Sequence, residues 1–298
     1  MESVYTDKTD MVDKTDKTDK KRCFGCGACR NACPLGAIAM KPDDRGSLYP
    51  SIDRQKCVDP GRDHRICRNC LAVCPMHRPE AAESGEEPIR YAVGCSGRQA
   101  SGHSATEAAF IAISDAILKT GGIVYGADLG RNASPRYRRI ATPEALDDLR
   151  QPKYELSATD EAYDRAIRDL REGRTVLFTG TACQTAGMRG LLRRKAYSAN
   201  LYLCDAACGS ASGKLLRPSC SRCTFADGQA ASDLTVADFS AVEGDLPAFR
   251  DAGAALLLTA NSPKGEALLE AARKSFTLCE RVPYEASPGH DLFDRLVV

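Results

Sequence analysis

The sequence predicts an α+β protein in which a small cysteine-rich domain precedes a larger α/β domain. Three observations lead to this prediction. The chain has 298 residues, which exceeds one average domain. Eight of its 15 cysteines lie between residues 23 and 74, in a segment without helix-length apolar periodicity. From Tyr91 onward, strand-like apolar runs alternate with helical patterns, as is typical of α/β domains.

The first stretch of the chain is polar. Residues 1–20 repeat Thr-Asp-Lys with almost no apolar side chain, so we expect a disordered tail there. The tail does not resemble a signal peptide, and no apolar run in the sequence is long enough to cross a bilayer. With 41 basic and 40 acidic side chains, net charge predicts no attraction to nucleic acid or to an anionic membrane. We therefore expect a cytoplasmic protein with no membrane span and no nucleic-acid partner.

Residues 21–76 form the predicted small domain. This segment is too short for an ordinary apolar core, so something other than side-chain packing is expected to hold it together. In a reducing compartment, so many cysteines indicate metal or redox chemistry. Residues 77–90, HRPEAAESGEEPIR, are rich in proline and glutamate and are predicted to be a linker. Residues 91–298 then form the larger domain.

The first cysteine run has the spacing C-x2-C-x2-C-x3-C-P, which binds cubane iron–sulfur clusters in bacterial-type ferredoxins. Glycines at positions 25 and 27 let the loop curl closely around a cluster, where a Cβ would crowd the sulfides. A structural zinc site is the alternative, although zinc usually takes two separated CxxC pairs. The four thiols belong to Cys23, Cys26, Cys29 and Cys33.

The second run keeps the C-x2-C-x3-C-P ending but places nine residues between its first two cysteines. A loop inserted between two ligands explains this gap, because a cluster fixes where the sulfurs sit and not the length of chain between them. In ferredoxins of this type, the last cysteine of each run binds the other cluster. The alternative is that Cys57 is not a ligand and that the second site holds a three-iron cluster. Cross-ligation predicts Cys23, Cys26, Cys29 and Cys74 at cluster one, and Cys57, Cys67, Cys70 and Cys33 at cluster two.

The larger domain alternates helices and strands. Helix starts are indicated at Thr142-Pro143 and Ser262-Pro263, and Gly121-Gly122 and Gly173 end two other helices. The predicted elements are, in order, a helix over 104–119, the strand IVYG, a short helix from 143, a helix over 160–173, the strand RTVLFTG, the helix TACQTAGMRGLLRRK, the strands NLYLCD and AALLLTA, and the helix PKGEALLEAARKS.

The turn after the strand RTVLFTG is the first candidate site in this domain. Gly180 ends the strand, Thr181 can cap the next helix, and Cys183 and Gln184 fall in its first turn. Helix N-termini favour phosphate groups and lower thiol pKa values, so the turn can hold a cofactor phosphate or a reactive or metal-bound thiolate. An ordinary turn with a packed cysteine is the alternative. No G-x-G-x-x-G follows a strand, so a Rossmann nicotinamide site is not supported.

Five motifs in the larger domain resemble one known family. GTACQTAGMRGLL resembles GTPCQvaGL, QPKYELS resembles SKYxxS, and SGHSATEAAF resembles the SSGGxF region. RPSCSRCTFA is similar to RPSCxxCxF, and SDLTVADFS to sDItiGDfw. In content and in their order along the chain, these motifs resemble those of the coenzyme F420 hydrogenase/dehydrogenase beta-subunit family, whose members often carry a fused ferredoxin module. The resemblance covers residues 21–276, but about a dozen residues separate Cys208 from Cys220 where relatives have a long segment, so the domain is shortened.

The resemblance implies an iron–sulfur flavoprotein that binds FAD. It implies a third [4Fe-4S] cluster at Cys183, Cys208, Cys220 and Cys223, for which a free thiol pair at the last two is the alternative. The positions that match the family's cofactor motifs are Ser101, Gly102, Lys153, Tyr154, Gly180, Thr181, Gln184 and Asp238.

The expected function is that of an iron–sulfur flavin-dependent oxidoreductase. Electrons would pass between the clusters, a flavin and an unidentified substrate or partner, which is a redox protein or a small-molecule donor or acceptor. The alternatives are a non-enzymatic electron-transfer subunit whose second domain only docks a partner, and an interaction protein without flavin.

Overall fold

The structure is a computed structural model. It describes residues 19–57, 67–77, 88–94, 105–128, 135–148, 157–193, 195–208, 217–225, 231–238 and 255–282. Nearly all of the predicted tail and most of the predicted linker lie outside these residues. In the part of the chain that is described, no helix combines the length and the apolarity needed to cross a membrane.

The small domain is a β-hairpin with a short helix after each cysteine run begins. Its elements are α1 Ala28–Ala32, β1 Ile38–Pro42, β2 Leu48–Ile52 and α2 Asn69–Ala72. Strands β1 and β2 are antiparallel, with Met40 opposite Pro50. Asp43 closes their connection, because its carboxylate accepts the backbone N–H groups of Arg45 at 3.0 Å and Ser47 at 2.9 Å.

The larger domain is built on a mixed sheet. Its strands are β3 Ile89–Gly94, β4 Ile123–Asp128, β5 Arg136–Ile140, β6 Val176–Thr181, β7 Leu201–Ala206, β8 Leu234–Asp238, β9 Ala255–Ala260 and β10 Leu278–Val282. Among the described residues these eight strands form one sheet in the order β10-β3-β9-β8-β7-β6-β4-β5. Strands β4, β6, β7 and β8 run parallel, and antiparallel strands flank them on both sides.

Helices cover both faces of this sheet. They are α3 Ala105–Lys119, α4 Asp160–Arg171, α5 Ala182–Leu192 and α6 Pro263–Ala272. Side chains of α3 and α6 share one apolar cluster with Val124, whereas side chains of α4 and α5 share another with Tyr125. Because neighbouring residues of a strand point to opposite faces, the two helix pairs lie on opposite sides of the sheet. Ala28 of the small domain belongs to the second cluster, so that domain packs against α4 and α5.

The predicted α+β fold class is confirmed, with differences at several elements. The short helix expected from residue 143 is a 3-10 helix over residues 143–148. Strands β5, β8 and β10 were not predicted, since each is only five residues long and the sheet neighbours decide its pairing. Strand β3 begins at Ile89, within the segment predicted to be a linker, and it pairs with β9 and β10 from the far end of the chain.

Candidate iron–sulfur centres

The first cysteine loop follows a path that only glycine allows. Gly25 and Gly27 have φ values of 66° and 81°, in the left-handed region. A Cβ on Gly25 would lie 2.4 Å from Leu48 O, and one on Gly27 would lie 2.4 Å from Thr159 Oγ1. Just before Gly25 the chain turns tightly enough for the Gly25 N–H to donate to Cys23 Sγ at 3.4 Å. The glycines therefore allow both the curl of the loop and its close contact with the rest of the molecule.

Cys74, from the second run, joins the first three cysteines. The electrostatic influence of its thiolate acts on Cys23, Cys26 and Cys29, in addition to the larger effect of burial. A pocket next to these thiols has a mainly apolar wall. It is lined by Cys23, Cys26, Cys29, Cys70 and Cys74 together with side chains such as Ile38, Met40, Leu71 and Met76. Four of these five thiols, those of Cys23, Cys26, Cys29 and Cys74, fit one cubane cluster.

Burial makes these thiols poor thiolates when no metal is bound. It raises the pKa of Cys23 to about 11 and raises the pKa values of Cys26 and Cys29 further. A thiolate at these positions needs a compensating positive charge, which iron supplies, and metal binding would therefore release protons. The donor set thus fits a cluster better than it fits free thiols in a redox exchange.

A second group of thiols contains Cys57, Cys67 and Cys70. Burial raises the pKa of Cys70, and the neighbouring thiolates of Cys67 and Cys57 add to this rise. Cys33 lies directly after α1, where its Sγ accepts the N–H of Ala37 at 3.3 Å. Residues 58–66, the insertion, lie outside the described residues. The structure therefore brings Cys57 close to Cys70 despite the long gap in sequence.

A third group lies on the larger domain. Burial raises the pKa of Cys183 to about 12, with smaller contributions from Cys223 and Cys220, while a hydrogen bond to Thr181 opposes the rise. The expectation of a lowered pKa at this helix N-terminus is therefore wrong, because desolvation by burial is the largest effect on the Cys183 thiol. Cys208 follows β7 and is exposed, with its Sγ 4.0 Å from Ala206 O.

The turn around Gly180 is filled by the protein itself. Thr181 and Gln184 form a reciprocal capping box, in which the Thr181 N–H donates to Gln184 Oε1 at 2.9 Å. The Tyr137 hydroxyl lies 3.1 Å from the same Oε1 and 3.0 Å from Thr179 O. A Cβ on Gly180 would lie 2.8 Å from that hydroxyl. In this structure Gly180 therefore makes room for Tyr137, and Gln184 closes the helix end.

The remaining predicted cofactor positions have less structural context. Asp238 ends β8 and is paired in register with Leu256. Ser101, Gly102, Lys153 and Tyr154 lie outside the described residues.

The first and third thiol groups meet across helices α4 and α5. Thr159 Oγ1 donates to Cys26 O at 2.7 Å. The Tyr163 hydroxyl lies 3.0 Å from the same carbonyl and 2.7 Å from Gln184 O, so it links the ferredoxin loop to α5. A Cβ on Gly187 would approach Cys26 Sγ to 3.3 Å. The backbone of α5 therefore lies against a cysteine of the first group, one helical turn beyond Cys183.

A second link joins the same two groups. Ser219 Oγ donates to Cys23 O at 2.9 Å, and Ser219 precedes Cys220 in a 3-10 helix over 218–222. The rings of Phe24 and Phe225 pack beside it with centroids 6.0 Å apart. Sequence reasoning did not select Tyr163 or Tyr137, because nothing local in the sequence marks a hydroxyl whose partners come from other elements.

The described residues contain no group of three or more Cys, His, Asp or Glu side chains that could hold a single metal ion. In a four-iron cluster each cysteine binds a different iron, so its ligands need not converge on one point.

Fold and cysteine geometry together define an iron–sulfur redox protein, in which an electron-transfer domain is packed onto a mixed α/β sheet. Residues 22–86 match the 4Fe-4S dicluster domain family. The N-terminal part of the chain is therefore a ferredoxin-type domain for two [4Fe-4S] clusters, as the cysteine spacing predicted.

The chain is similar in fold to a solved structure. One chain in a structure titled "Xenon derivatization of the F420-reducing [NiFe] hydrogenase complex from Methanosarcina barkeri" is similar, with a TM-score of 0.51 and 15% sequence identity. The similarity covers 70% of this chain and 87% of that chain. At this identity the likeness shows a shared fold, which agrees with the resemblance that the motifs indicated. No sequence among curated proteins matches the chain.

Proposed function

We propose that this protein is an iron–sulfur oxidoreductase that relays electrons from the two ferredoxin clusters into the larger domain. One observation carries the proposal: Cys26 of the first thiol group lies against Gly187 of α5, one turn from Cys183 of the third group. A relay needs redox groups packed closely through protein, and here a single helix backbone separates two thiol groups.

In this proposal cluster one is held by Cys23, Cys26, Cys29 and Cys74, and cluster two by Cys33, Cys57, Cys67 and Cys70. The mutual influence of the thiols supports the first set and three members of the second. A third cluster uses Cys183, Cys220 and Cys223, with Cys208 as the fourth ligand. Each cluster would supply one-electron chemistry at its place in the relay.

The chain's own residues would exclude water and fix positions. Phe24 and Phe225 are buried between the first and third groups, which keeps the environment there apolar. Arg217 places a positive charge near Cys183 and near Cys23 and lowers their pKa values against the larger effect of burial. A cation at that point favours the more negative, reduced form of a nearby centre.

We also propose FAD as the group that couples one-electron to two-electron transfer, which is the chemistry a flavin supplies when bound. The support is the resemblance of the motifs at Ser101, Gly102, Lys153 and Tyr154. The described turn at Gly180–Gln184 is already capped by its own side chains, so we assign it to holding α5 and Cys183 in place. The acceptor of the electrons would be a partner subunit or a small molecule in the cytoplasm.

Anaerobic purification followed by iron, sulfide and flavin analysis tests the proposal. We expect about eight iron atoms per chain for two clusters and about twelve for three, with visible bands of bound flavin on a broad iron–sulfur absorbance. Stoichiometric zinc without labile sulfide would overturn it. Two clusters with no flavin, even after incubation with FAD, would favour the alternative of an electron-transfer subunit whose second domain docks a partner.

Cysteine variants separate the third cluster from the other two. The double variant Cys220→Ser/Cys223→Ser should lose roughly four iron atoms and leave the dicluster signals unchanged. Cys204→Ser is the matched control, because Cys204 is a buried cysteine of β7 that joins none of the three groups, and its iron content should equal that of the wild type. Equal iron in both variants would show that Cys220 and Cys223 are a free thiol pair.

A further inference from the structure

The charges of this protein are distributed unevenly between its two domains. The segment 21–76 has ten basic and five acidic side chains, whereas the whole chain has a net charge of only +1. The small domain is therefore clearly basic, and the remainder of the chain is acidic. Such a separation creates a local field that net charge alone does not reveal.

Three of these basic side chains lie next to cysteines of the second thiol group. Arg54 and Lys56 precede Cys57, Arg68 follows Cys67, and all three are exposed. Cys57 and Cys67 both act on Cys70, so the two stretches of chain meet there.

An exposed apolar side chain lies beside them. Leu35 is 47% exposed, and among the described residues no other large apolar side chain is exposed. The Asp53 N–H donates to Ala37 O at 2.7 Å, which brings the loop containing Leu35 next to the turn containing Arg54 and Lys56.

The ion pair described within this patch is weak. Asp53 pairs with Lys56 at 3.5 Å, but both side chains are largely exposed, and such pairs contribute little. Arg30, at the opposite side of α1, is instead paired with Asp164 of α4 at 3.1 Å. Arg30 therefore lies where the small domain packs on the larger one, whereas Arg54, Lys56 and Arg68 are exposed.

The first thiol group lies at the closed end of the same domain. Cys23 is 7% exposed, and α4, α5 and the 218–222 turn cover that side. Cys67 of the second group is exposed. An external protein can therefore approach the second group much more closely than the first.

We infer that the surface formed by Leu35, Arg54, Lys56 and Arg68 is the docking site for an acidic one-electron-carrier protein, which exchanges electrons with cluster two. This inference rests on the proposed relay. Charge complementarity selects the partner: three exposed cations around an apolar side chain fit a carrier whose redox group is ringed by carboxylates. In the forward direction one electron leaves the reduced carrier and reduces cluster two, and no proton or bond changes.

The test measures the second-order rate at which a reduced, acidic plant-type [2Fe-2S] ferredoxin reduces the anaerobic full-length protein. In the charge-reversed variant Arg54→Glu/Lys56→Glu/Arg68→Glu, the rate at low ionic strength should fall at least tenfold, and its dependence on salt should weaken. The neutral variant with glutamine at the same three positions should give an intermediate rate.

The matched control reverses three exposed charges on the larger domain. The variant Lys195→Glu/Lys274→Glu/Arg281→Glu carries the same change in net charge but should keep the rate within about twofold of the wild type. Equal rates for both charge-reversed variants would overturn the docking inference. Wild-type binding to anionic vesicles that the first variant abolishes, with no change in rate, would assign the patch to a membrane surface and would also overturn it.

Failure of this inference can be told apart from failure of the proposed function. Iron content and reduction by dithionite are measured on every variant. Absence of clusters from the wild-type protein contradicts the proposed relay itself. If the clusters are present and reducible by dithionite but charge reversal of the basic patch leaves the rate of reduction unchanged, only the docking site is contradicted.

Discussion

Asp205 is a carboxylate with 1% exposure at the end of β7, and its Oδ1 has no hydrogen-bond partner among the described residues. Burial raises its pKa to about 6, although hydroxyl groups of Thr235, Ser232 and Thr185 oppose the rise. Its register partner on β6 is Gly180, so it lies at the edge of the sheet where the candidate turn begins. A buried carboxylate with so little compensation is costly to keep ionised.

The variant Asp205→Asn should be more stable than the wild type at pH 8. The folded chain holds a proton on Asp205 that the unfolded chain has lost by about pH 4, so stability falls as the pH rises from about 4 to 6 and stays low above that window. A shift of about two pKa units corresponds to about 3 kcal/mol. We expect the free energy of unfolding in urea to rise by roughly 2 kcal/mol at pH 8, with the difference shrinking toward pH 5.

Asp169→Asn is the control with the opposite sign. Burial acts to raise the pKa of Asp169, but hydrogen bonds from Arg139 and Tyr125 outweigh it, and the pKa is lowered. The Arg139 guanidinium binds both carboxylate oxygens at 2.8 Å. This substitution should therefore lower the free energy of unfolding at pH 8. The difference from the wild type should shrink in acid, where the wild-type carboxylate becomes protonated. If both asparagine variants were less stable at pH 8, the account of Asp205 would be wrong.

Cys57→Ser tests the ligand that lies across the insertion. If Cys57 binds cluster two, the variant should lose that cluster or convert it to a three-iron form, while the paramagnetic resonance of the other cluster stays intact. Iron analysis and the spectrum of the reduced protein provide the measurement. Unchanged iron content and an unchanged spectrum would show that Cys57 is not a ligand.

The cysteines could be found from sequence, whereas their supporting residues could not. Ligand spacing is a local property, so the eight thiols of the small domain stand out in the printed chain. Tyr163 meets Cys26 from 137 residues away, and no pattern around Tyr163 indicates that contact. The same holds for Tyr137, whose hydroxyl finds Gln184 across 47 residues. These roles depend on packing between distant elements.

At the scale of elements, α4 and α5 together form the surface on which the ferredoxin loop packs. Tyr163 on α4 is fully buried, and its hydroxyl lies between a carbonyl of the loop and a carbonyl of α5. Its ring packs on Phe178 of β6 with centroids 5.3 Å apart. This packing surface is therefore held against the central sheet through Tyr163.

Tyr163→Phe should weaken the packing of the ferredoxin loop on α4 and α5 without disturbing the ring packing. Loss of a buried hydroxyl between two carbonyls is expected to cost about 1–3 kcal/mol in the free energy of unfolding. We also expect faster proteolytic release of the small domain from the anaerobic protein. Tyr125→Phe is the matched control, because Tyr125 also stacks on Phe178 but its hydroxyl binds Asp169 at 2.6 Å, away from the loop.

Release of the small domain at the same rate in the two tyrosine variants would contradict this role for Tyr163.

The helices themselves were predictable, since α3, α5 and α6 have apolar periodicity and recognisable ends. The side of the sheet that each helix covers could not be predicted from the sequence, because it depends on the order of the strands.

At the scale of the whole molecule, two differently stabilised parts are joined. The sheet domain has extensive apolar clusters on both faces, whereas the described part of the small domain has two short helices, one hairpin and eight thiols. Metal binding in such a domain supplies folding free energy directly. The two parts should therefore respond differently to loss of metal.

Removing iron with a chelator under anaerobic conditions should unfold the small domain and leave the sheet domain folded. We expect most of the far-ultraviolet circular dichroism to remain, and thermal unfolding to keep a cooperative transition for the sheet domain. The protein reconstituted with iron and sulfide serves as the control and should recover the lost signal. A single transition lost completely on chelation would show that the two parts fold as one unit.

The position of β3 in the sheet has a consequence for how the protein is made. This strand follows the dicluster domain in the chain, yet its neighbours are β9 and β10, which are synthesised roughly 160 or more residues later. At 5–20 residues per second, β3 waits on the order of 10–30 s for its partners to leave the ribosome. Throughout that interval the small domain is already synthesised and can bind its iron, whereas α4 and α5, on which it packs, are still being synthesised or folded. Cluster insertion can therefore precede closure of the sheet.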